Sequence, residues 1–149
     1  MKAWRVHQYG PPAEVLTLDD VDEPVPGPDE LKIRVTSVTL NFNDLDGIHG
    51  RYKTVPRPVP YIPGMEVLGV VEECGTGSEA WRGRRVVAIP SGAFGGYAEH
   101  VVAPTAMAAD GLSTAAMVLG RPQAHAFLEA QGVGALLIAP DGAVTTVNL

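Results

Sequence analysis

Cysteine and clustered histidine are nearly absent from this 149-residue sequence, which has one cysteine and four histidines. The single cysteine, Cys74, excludes a disulfide framework and a thiolate cluster for zinc. The histidines are His7, His49, His100 and His125, and none stands at metal-ligand spacing from another. We therefore expect no bound metal, and the cysteine usage fits a reducing, cytoplasmic setting.

Long apolar runs, a leader peptide and an excess of positive charge are also missing. No run approaches the length of a membrane span, and the first residues have no apolar core of signal-peptide length. The net charge of −6 gives no electrostatic reason to expect nucleic acid or an acidic membrane face as a partner. A nucleophile elbow of the Gly-x-Ser-x-Gly type is absent, so acyl transfer has no support. We expect a soluble protein with a small-molecule substrate, and the length suits one domain.

Short β-type segments separated by glycine and proline turns fill the first two thirds of the chain. Leu31 to Leu40 alternates apolar and polar residues, which predicts a half-buried strand. Val67 to Cys74 is apolar and rich in β-branched residues, which predicts a buried strand. Further strands are predicted at Ala3 to His7, Val15 to Leu18, Val86 to Ile89 and Tyr97 to Val102. Many short strands at this spacing favour a mainly β fold, a small barrel.

The stretch from Leu40 to Gly69 holds two polar clusters separated by a proline-rich bridge. Proline lacks a backbone donor and fixes φ, so the bridge cannot be a helix or a central strand. We expect an ordered surface crossing that sets one polar cluster against the other, as is common for functional sites on loops. Alternatively, Asn41, Asn43 and Asp44 merely cap a short helix that begins near Asp44.

Several short motifs recur in one register along the chain. They are Met1-Lys-Ala, Pro24-Val-Pro-Gly-Pro-Asp-Glu30, Leu40-Asn-Phe-Asn-Asp44, Pro63-Gly-Met-Glu66 with Gly69-Val-Val-Glu72, and Gly96-Tyr-Ala-Glu99. With these motifs the sequence resembles the medium-chain dehydrogenase/reductase superfamily, in particular its zinc-free branch of quinone oxidoreductases and polyketide enoyl reductases. The resemblance implies that residues 1–104 form a partly open GroES-like β-barrel with short helices.

The resemblance also bears on the metal. Zinc-dependent relatives have a cysteine where this chain has Asn41, and a histidine before the glutamate where it has Met65-Glu66. Catalytic zinc needs three deprotonated ligands and an open position. The four-cysteine lobe that holds structural zinc in the family is missing as well. A zinc-free site is therefore the expectation.

The candidate site is the set of polar and aromatic side chains in and beside these motifs. Its predicted catalytic residues are Asn41, Asp44, Tyr52 and Glu66, and its predicted substrate-binding residues are Phe42, Asn43 and Tyr97. An asparagine amide can polarise a carbonyl by hydrogen bonding, and Tyr52 can donate a proton or a hydrogen bond. The resemblance implies that Asn41 and Tyr52 lie near the nicotinamide and the substrate. In the structural alternative, Asn41 satisfies loop backbone, Tyr52 packs its ring, and Glu66 pairs with an arginine. Arg34 and Arg51 are the candidates for that pair.

Residues 105–149 resemble the segment that connects the barrel to a nucleotide-binding domain. A helix is predicted near Thr114 to Gln131, and Pro122 would kink it or begin a second helix. The first strand and phosphate loop of the domain follow in degenerate form, with Ala139, Gly142 and Thr145 at the three glycine positions. Thr145 carries a Cβ that disfavours close helix–strand packing, and the chain ends four residues later. We expect this chain to bind no dinucleotide by itself.

The local pattern of the same tail favours a hairpin. Ala135 to Ile138 and Val144 to Asn148 are two β runs around Pro140-Asp-Gly142, an ordinary turn signal. Such a hairpin could cover an open edge of the barrel, and an uncovered edge would invite pairing between two copies of the chain. Homodimerisation through this C-terminal strand is therefore a hypothesis.

The sequence supports three hypotheses for the function of this chain. The first is a non-redox enzyme that cyclises, isomerises or adds to an enone- or polyketide-like substrate, without a cofactor of its own. The second is an oxidoreductase that transfers hydride from NADPH to a quinone or enone with a nucleotide-binding partner chain. The third is a binding protein without turnover. The sequence favours the first, because the pocket motifs are kept beside a degenerate cofactor loop.

Overall fold

The structure, a computed structural model, describes residues 1–54, 57–105, 121–130, 135–138 and 143–147. The strands are β1 (Lys2–Val6), β2 (Leu16–Asp20), β3 (Glu30–Val38), β4 (Val67–Cys74), β5 (Arg85–Ala88), β6 (His100–Pro104), β7 (Ala135–Ile138) and β8 (Val144–Val147). The helices are α1 (Pro12–Val15), α2 (Phe42–Ile48) and α3 (Arg121–Ala130), and single 3₁₀ turns lie at Glu79–Trp81 and Ser91–Ala93. No helix among these residues is long and apolar enough to cross a bilayer.

Four antiparallel strands form the main sheet in the order β5–β4–β3–β6. The alternation in β3 places Leu31 and Ile33 on the buried face, where both are fully shielded from solvent. They pack with β-branched side chains of β4, among them Val67 and Val71. The remaining buried members of this core are Val86, Ala88, Val101 and Ala103. Because apolar burial is the dominant favourable term in folding, this layer holds the sheet that carries the candidate site.

β1 and β2 pair antiparallel in a second sheet, which isolated bridges join to the rest of the barrel. Ala3 bridges Ala98 just before β6, and Val6 bridges Tyr61 in the proline-rich segment. A second core forms there from Val6, Val15, Ile48, Tyr61 and Phe94. Among the described strands the two sheets share no continuous ladder, which confirms the predicted partly open, mainly β barrel.

α3 and the hairpin of β7 and β8 form a third, smaller layer. The two strands pair antiparallel, as the turn signal in the tail predicted. Ala124 and Leu128 of α3 pack with Val147 of β8, and Trp81 of the barrel contacts the same cluster. The tail therefore touches the barrel through Trp81.

Three element bounds differ from the predicted ones near the candidate site. β3 ends at Val38, two residues before Leu40. α2 begins at Phe42 rather than at Asp44, because the chain turns into the helix directly after Asn41. Tyr97 precedes β6 rather than opening it. The chain therefore leaves the sheet earlier than the alternation indicates, and α2 is longer at its N-terminus.

One further difference concerns Lys32, and the start of α3 agrees with one of the two alternatives predicted for Pro122. Lys32 lies on the polar side of the predicted alternation, yet it is only 6% exposed, because its ammonium pairs with Glu23 and Glu73. In the tail, α3 begins at Arg121 with Pro122 in its first turn, where proline suits a helix start. The predicted helix residues 114–120 lie outside the described part of the chain.

Candidate functional site

Strand register brings Glu66 beside the end of β3. β3 and β4 pair antiparallel with Val38 opposite Val67, so Thr39 meets Glu66 one residue further out. The Thr39 hydroxyl donates a hydrogen bond of 3.0 Å to Glu66 Oε2. Asn41 precedes α2, and its Nδ2 donates to Thr39 Oγ1 at 3.1 Å and to Glu66 Oε2 at 3.4 Å. The two polar clusters of the sequence therefore meet at this junction.

Asp44 lies in the first turn of α2 and is 2% exposed. Its carboxylate accepts hydrogen bonds from the backbone amides of Asn41 and Gly64, both at 3.0 Å. The Tyr97 hydroxyl donates a third, at 3.3 Å. Burial raises the pKa of Asp44 above its ordinary 3.8, and these three hydrogen bonds oppose the rise. The bond from the Asn41 amide is a helix-capping contact, so the capping alternative accounts for part of what Asp44 does.

The proline-rich bridge is bonded to the loop before β6 through backbone groups. The amide of Gly96 donates to the carbonyl of Gly64, and the amide of Tyr97 donates to that of Pro63, both at 2.9 Å. Gly64 has a φ of +98°, and a Cβ there would lie 2.5 Å from Tyr97 Cδ1. Glycine is therefore required at this position. Burial, followed by the nearby charge of Asp44, raises the pKa of Tyr97.

Tyr52 belongs to a second group of side chains. Its ring packs edge-on against Phe94, with ring centroids 6.3 Å apart and an interplanar angle of 78°. The group surrounds a cavity of about 250 Å³ lined by Tyr9, Gly47, Gly50, Tyr52, Lys53, Arg57, Tyr61 and Phe94. Asn41 and Glu66 do not line this cavity. Within the described residues, Asn41, Asp44, Glu66 and Tyr97 thus form one bonded cluster, and Tyr52 lies in another.

The predicted substrate-binding residues Phe42 and Asn43 lie on the outer side of α2. Phe42 is 73% exposed and the nearby Leu40 is 83% exposed. Asn43 is exposed as well. They could contact a ligand only where it reaches the protein surface beside Asn41. Their role in binding stays a prediction.

The arginines considered as partners of Glu66 pair elsewhere. Arg34 binds Glu72 at 2.6 Å, and Arg51 binds Asp46 at 3.0 Å. Glu66 accepts the hydroxyl and amide hydrogen bonds described above instead. The alternative in which Glu66 forms an ion pair with either arginine was therefore wrong.

The Asn41 amide is the group best placed to polarise a carbonyl. Its two N–H hydrogens are directed at Thr39 and Glu66, and the bond to Glu66 is the longer of the two at 3.4 Å. A hydrogen bond of that length is weak. Because Asn41 is only half-buried, a carbonyl oxygen can replace Glu66 as the acceptor while the bond to Thr39 stays.

The described residues can be compared with what a metal ion and a dinucleotide each need for binding. Among the described residues, no three side chains of His, Cys, Asp or Glu meet closely enough to hold a metal ion. Thr145 lies inside β8 opposite Leu137, whereas a pyrophosphate site needs the free amides of a helix N-terminus. The described part of the tail therefore does not fit a dinucleotide. Ala139 and Gly142 lie outside the described residues.

Sequence reasoning missed Arg57, Tyr61 and Phe94. The first two lie in the proline-rich bridge, which was predicted only to connect the two polar clusters. The Arg57 guanidinium lies 5.2 Å from the centroid of the Phe94 ring, and Tyr61 packs edge-on against the same ring. The signal that could have found them is the residue type of Arg57 and Tyr61. The prolines alone explain the extended backbone of the bridge, so a cation and an aromatic ring between them indicate a further role.

Known proteins share this domain. The family described as Alcohol dehydrogenase GroES-like domain matches residues 27–112, more than half of the chain. The quinone oxidoreductase of Lama guanicoe is 34% identical over 103 residues, which are 69% of this chain and 31% of that protein. The synaptic vesicle membrane protein VAT-1 homolog of Rattus norvegicus is 42% identical over 84 residues, 56% of this chain and 20% of that protein. The chain spans less than a third of the length of these two relatives.

Solved structures show the same architecture. The quinone oxidoreductase of Thermus thermophilus, also solved in complex with NADPH, has 40% identity and a TM-score of 0.58 over 72% of this chain and 31% of that chain. The human synaptic vesicle membrane protein VAT-1 homolog-like protein has 33% identity and a TM-score of 0.66 over 72% and 34%. With the family match, these likenesses show that the chain belongs to the medium-chain dehydrogenase/reductase superfamily and carries its GroES-like domain.

Proposed function

We propose that this chain forms the substrate side of an NADPH-dependent reductase of quinones or enones. The observation that carries the proposal is the half-buried Asn41 amide, held beside Glu66 where β3 passes into α2. The resemblance of the sequence to the family implies that the nicotinamide and the substrate lie near Asn41, which supports the proposal. Quinone oxidoreductases recur among the relatives, and one of them is known in complex with NADPH. The nucleotide-binding domain of such a reductase would lie outside the residues of this chain.

The chain's own part in the reduction is to bind and polarise the carbonyl. The carbonyl oxygen replaces Glu66 Oε2 as an acceptor of the Asn41 amide, which then stabilises the negative charge that develops on that oxygen. NADPH bound to the separate domain would supply the hydride. One proton from solvent completes the two-electron reduction of a quinone to a hydroquinone. Tyr52 takes no part in this step, because it lines a cavity that Asn41 does not line.

A non-redox enzyme that acts on the same carbonyl is the second candidate. It is favoured by Thr145, which lies in a strand where a phosphate loop would need a helix. A carbonyl polarised by Asn41 would equally serve cyclisation, isomerisation or addition on an enone- or polyketide-like substrate. The sequence alone favours this function, but the names of the relatives favour the reductase, and we rank the reductase first.

A chimera tests the reductase proposal. Residues 1–104 of this chain replace the matched segment of the Thermus thermophilus quinone oxidoreductase. We expect the chimera to oxidise NADPH, followed by absorbance at 340 nm, only when 1,4-naphthoquinone is added. A chimera that folds and binds NADPH but shows no quinone-dependent oxidation would contradict the proposal.

The 149-residue chain alone separates the two candidates. Under the reductase proposal, titration with NADPH shows no binding in the micromolar range, because the described tail offers no pyrophosphate site. The same chain leaves enone substrates unchanged when no nucleotide is present. Turnover of an enone without any nucleotide would reverse the ranking in favour of the non-redox enzyme.

A further inference from the structure

The cavity beside Tyr52 has features of a ligand site that the carbonyl chemistry above does not use. Its volume of about 250 Å³ would hold about eight water molecules at their liquid volume. The rings that line it are Tyr9, Tyr52, Tyr61 and Phe94, and the cations are Lys53 and Arg57. Among the described residues that line the cavity, none is acidic. The cavity is therefore aromatic and cationic, although the chain as a whole carries a net charge of −6.

Tyr61 supplies a buried hydrogen-bond donor to this cavity. It is 8% exposed, and its hydroxyl has no hydrogen-bond partner among the described residues. A Cβ on Gly47 would lie 3.1 Å from this hydroxyl, and Gly47 lines the cavity, so the hydroxyl faces it. Burial raises the pKa of Tyr61 to about 12, so the hydroxyl keeps its proton at neutral pH. A buried donor without an acceptor is unfavourable, and a ligand oxygen would relieve it.

Arg57 supplies a second donor. Its Nε is buried and, in the described part of the chain, unpaired. Its guanidinium lies 5.2 Å from the centroid of the Phe94 ring, and a Cβ on Gly92 would lie 2.7 Å from Nη2. The Tyr9 hydroxyl donates a hydrogen bond to the Arg57 carbonyl, which holds the backbone in place. The guanidinium is thus closely confined, and its buried Nε is a donor without an acceptor among the described residues.

We propose that this cavity binds a small planar carboxylate, namely an aromatic monocarboxylate of about the size of benzoate. Its carboxylate oxygens accept hydrogen bonds from the Tyr61 hydroxyl and from Arg57 Nε, and charge assistance makes the second bond strong. Its ring packs among the aromatic walls, for which offset or edge-on contact is favourable. The ammonium of Lys53, an exposed residue, adds attraction for the anion. The proposal does not depend on the reductase function.

Isothermal titration of the full chain with benzoate tests the site. We expect benzoate to bind, and Tyr61→Phe and Arg57→Gln each to weaken the affinity about 10-fold or more, since both remove a hydrogen bond to a charged group. Arg51→Ala is the matched control. It removes one positive charge nearby, but its guanidinium pairs with Asp46 and does not line the cavity. This control is expected to bind benzoate as the unmodified chain does.

A third variant keeps both donors and fills the space instead. Gly47→Ala places a methyl group 3.1 Å from the Tyr61 hydroxyl, and we expect it to weaken benzoate binding while thermal melting shows a folded protein. Circular dichroism of every variant checks that the fold is kept. Three results would each overturn the proposal: benzamide or inorganic phosphate binding as tightly as benzoate, folded donor variants with unchanged affinity, or no benzoate binding at all.

Discussion

The backbone amide of Gly64 donates a hydrogen bond of 3.0 Å to Oδ1 of Asp44, 20 residues earlier in the chain. The other carboxylate oxygen accepts from the Asn41 amide and the Tyr97 hydroxyl. A single buried carboxylate therefore holds together α2, the proline-rich bridge and the loop before β6. Stability and the geometry of the candidate site are expected to depend on the same group.

Removal of this carboxylate is expected to destabilise the barrel. Asp44→Ala leaves the amides of Asn41 and Gly64 without their acceptor, and each unsatisfied buried donor costs about 1–3 kcal/mol. We expect the free energy of unfolding in urea to fall by about 3 kcal/mol. Asn43→Ala, an exposed change in the same helical turn, is the matched control and should stay within about 0.5 kcal/mol. Equal losses in the two variants would show that Asp44 does not hold the segments together.

The pH dependence of stability should carry the signature of Asp44. Because the pKa of Asp44 is raised in the folded state, its protonated form favours folding. That contribution is complete below the unfolded value of 3.8 and is lost as pH rises through the folded-state pKa. We expect the free energy of unfolding of the unmodified chain, relative to Asp44→Asn, to decrease as the pH rises from below 3.8 through the folded-state pKa.

Comparison with Asp44→Asn removes the opposite effect of surface ion pairs. Hydrogen bonds from Lys32 and Arg34 lower the pKa of Glu23 and Glu72 respectively, so the stability that those carboxylates add is lost as pH falls. Both proteins contain these pairs, and the difference between them reports Asp44. A difference that grows with pH would contradict the buried, proton-retaining carboxyl.

A pair of glycine variants separates backbone strain from close approach. Gly64 and Gly83 both have positive φ, +98° and +77°, so alanine at either position adds left-handed strain of about 1–2 kcal/mol. Only at Gly64 would the new Cβ meet the Tyr97 ring, at 2.5 Å, while at Gly83 nothing lies within 4 Å. We expect Gly64→Ala to lose about 2 kcal/mol more than Gly83→Ala in urea unfolding, because overpacking adds to strain. Equal losses would mean that the contact with Tyr97 relaxes freely.

The strands were predictable because their signals are local. A strand alternates its side chains between two faces, and the β-branched run from Val67 to Cys74 has the same bounds in the structure as in the prediction. The hairpin of the tail followed from a turn signal between two β runs, and it is observed. The predicted start of α2 was wrong by two residues. The sequence around Phe42 has no helical periodicity, and only the structure shows that Asn41 is the N-cap.

The cavity was not predictable, because tertiary contacts create it. Tyr61 and Phe94 meet edge-on with ring centroids 5.8 Å apart, and no periodic pattern relates two loops so distant in sequence. The separation of Tyr52 from Asn41 has the same origin, since each packs with a different set of distant residues. Residue type indicated the chemistry of the Asn41 cluster and of the Tyr52 cavity. Which side chains contact each other in them depends on how the loops cross.

The tail offers a test of oligomeric state. In the described part of the chain, β7 and β8 pair only with each other, which leaves backbone groups on their outer edges. Such edges favour pairing with a second copy. We expect the full chain to elute as a dimer in gel filtration, and the chain without residues 134–149 as a monomer. A full chain that elutes as a monomer would remove this hypothesis.

Asn41 is the residue on which the proposed reduction depends most, and its substitution in the chimera is the most direct measurement. Loss of one oxyanion-type donor lowers kcat about 100-fold or more, so we predict that fall for Asn41→Ala in the NADPH-dependent reduction of 1,4-naphthoquinone. Val25→Ala, at an exposed residue outside the candidate site, should keep the kcat of the parent chimera. Equal kcat values for the two folded, NADPH-binding variants would contradict a role for Asn41 at the carbonyl.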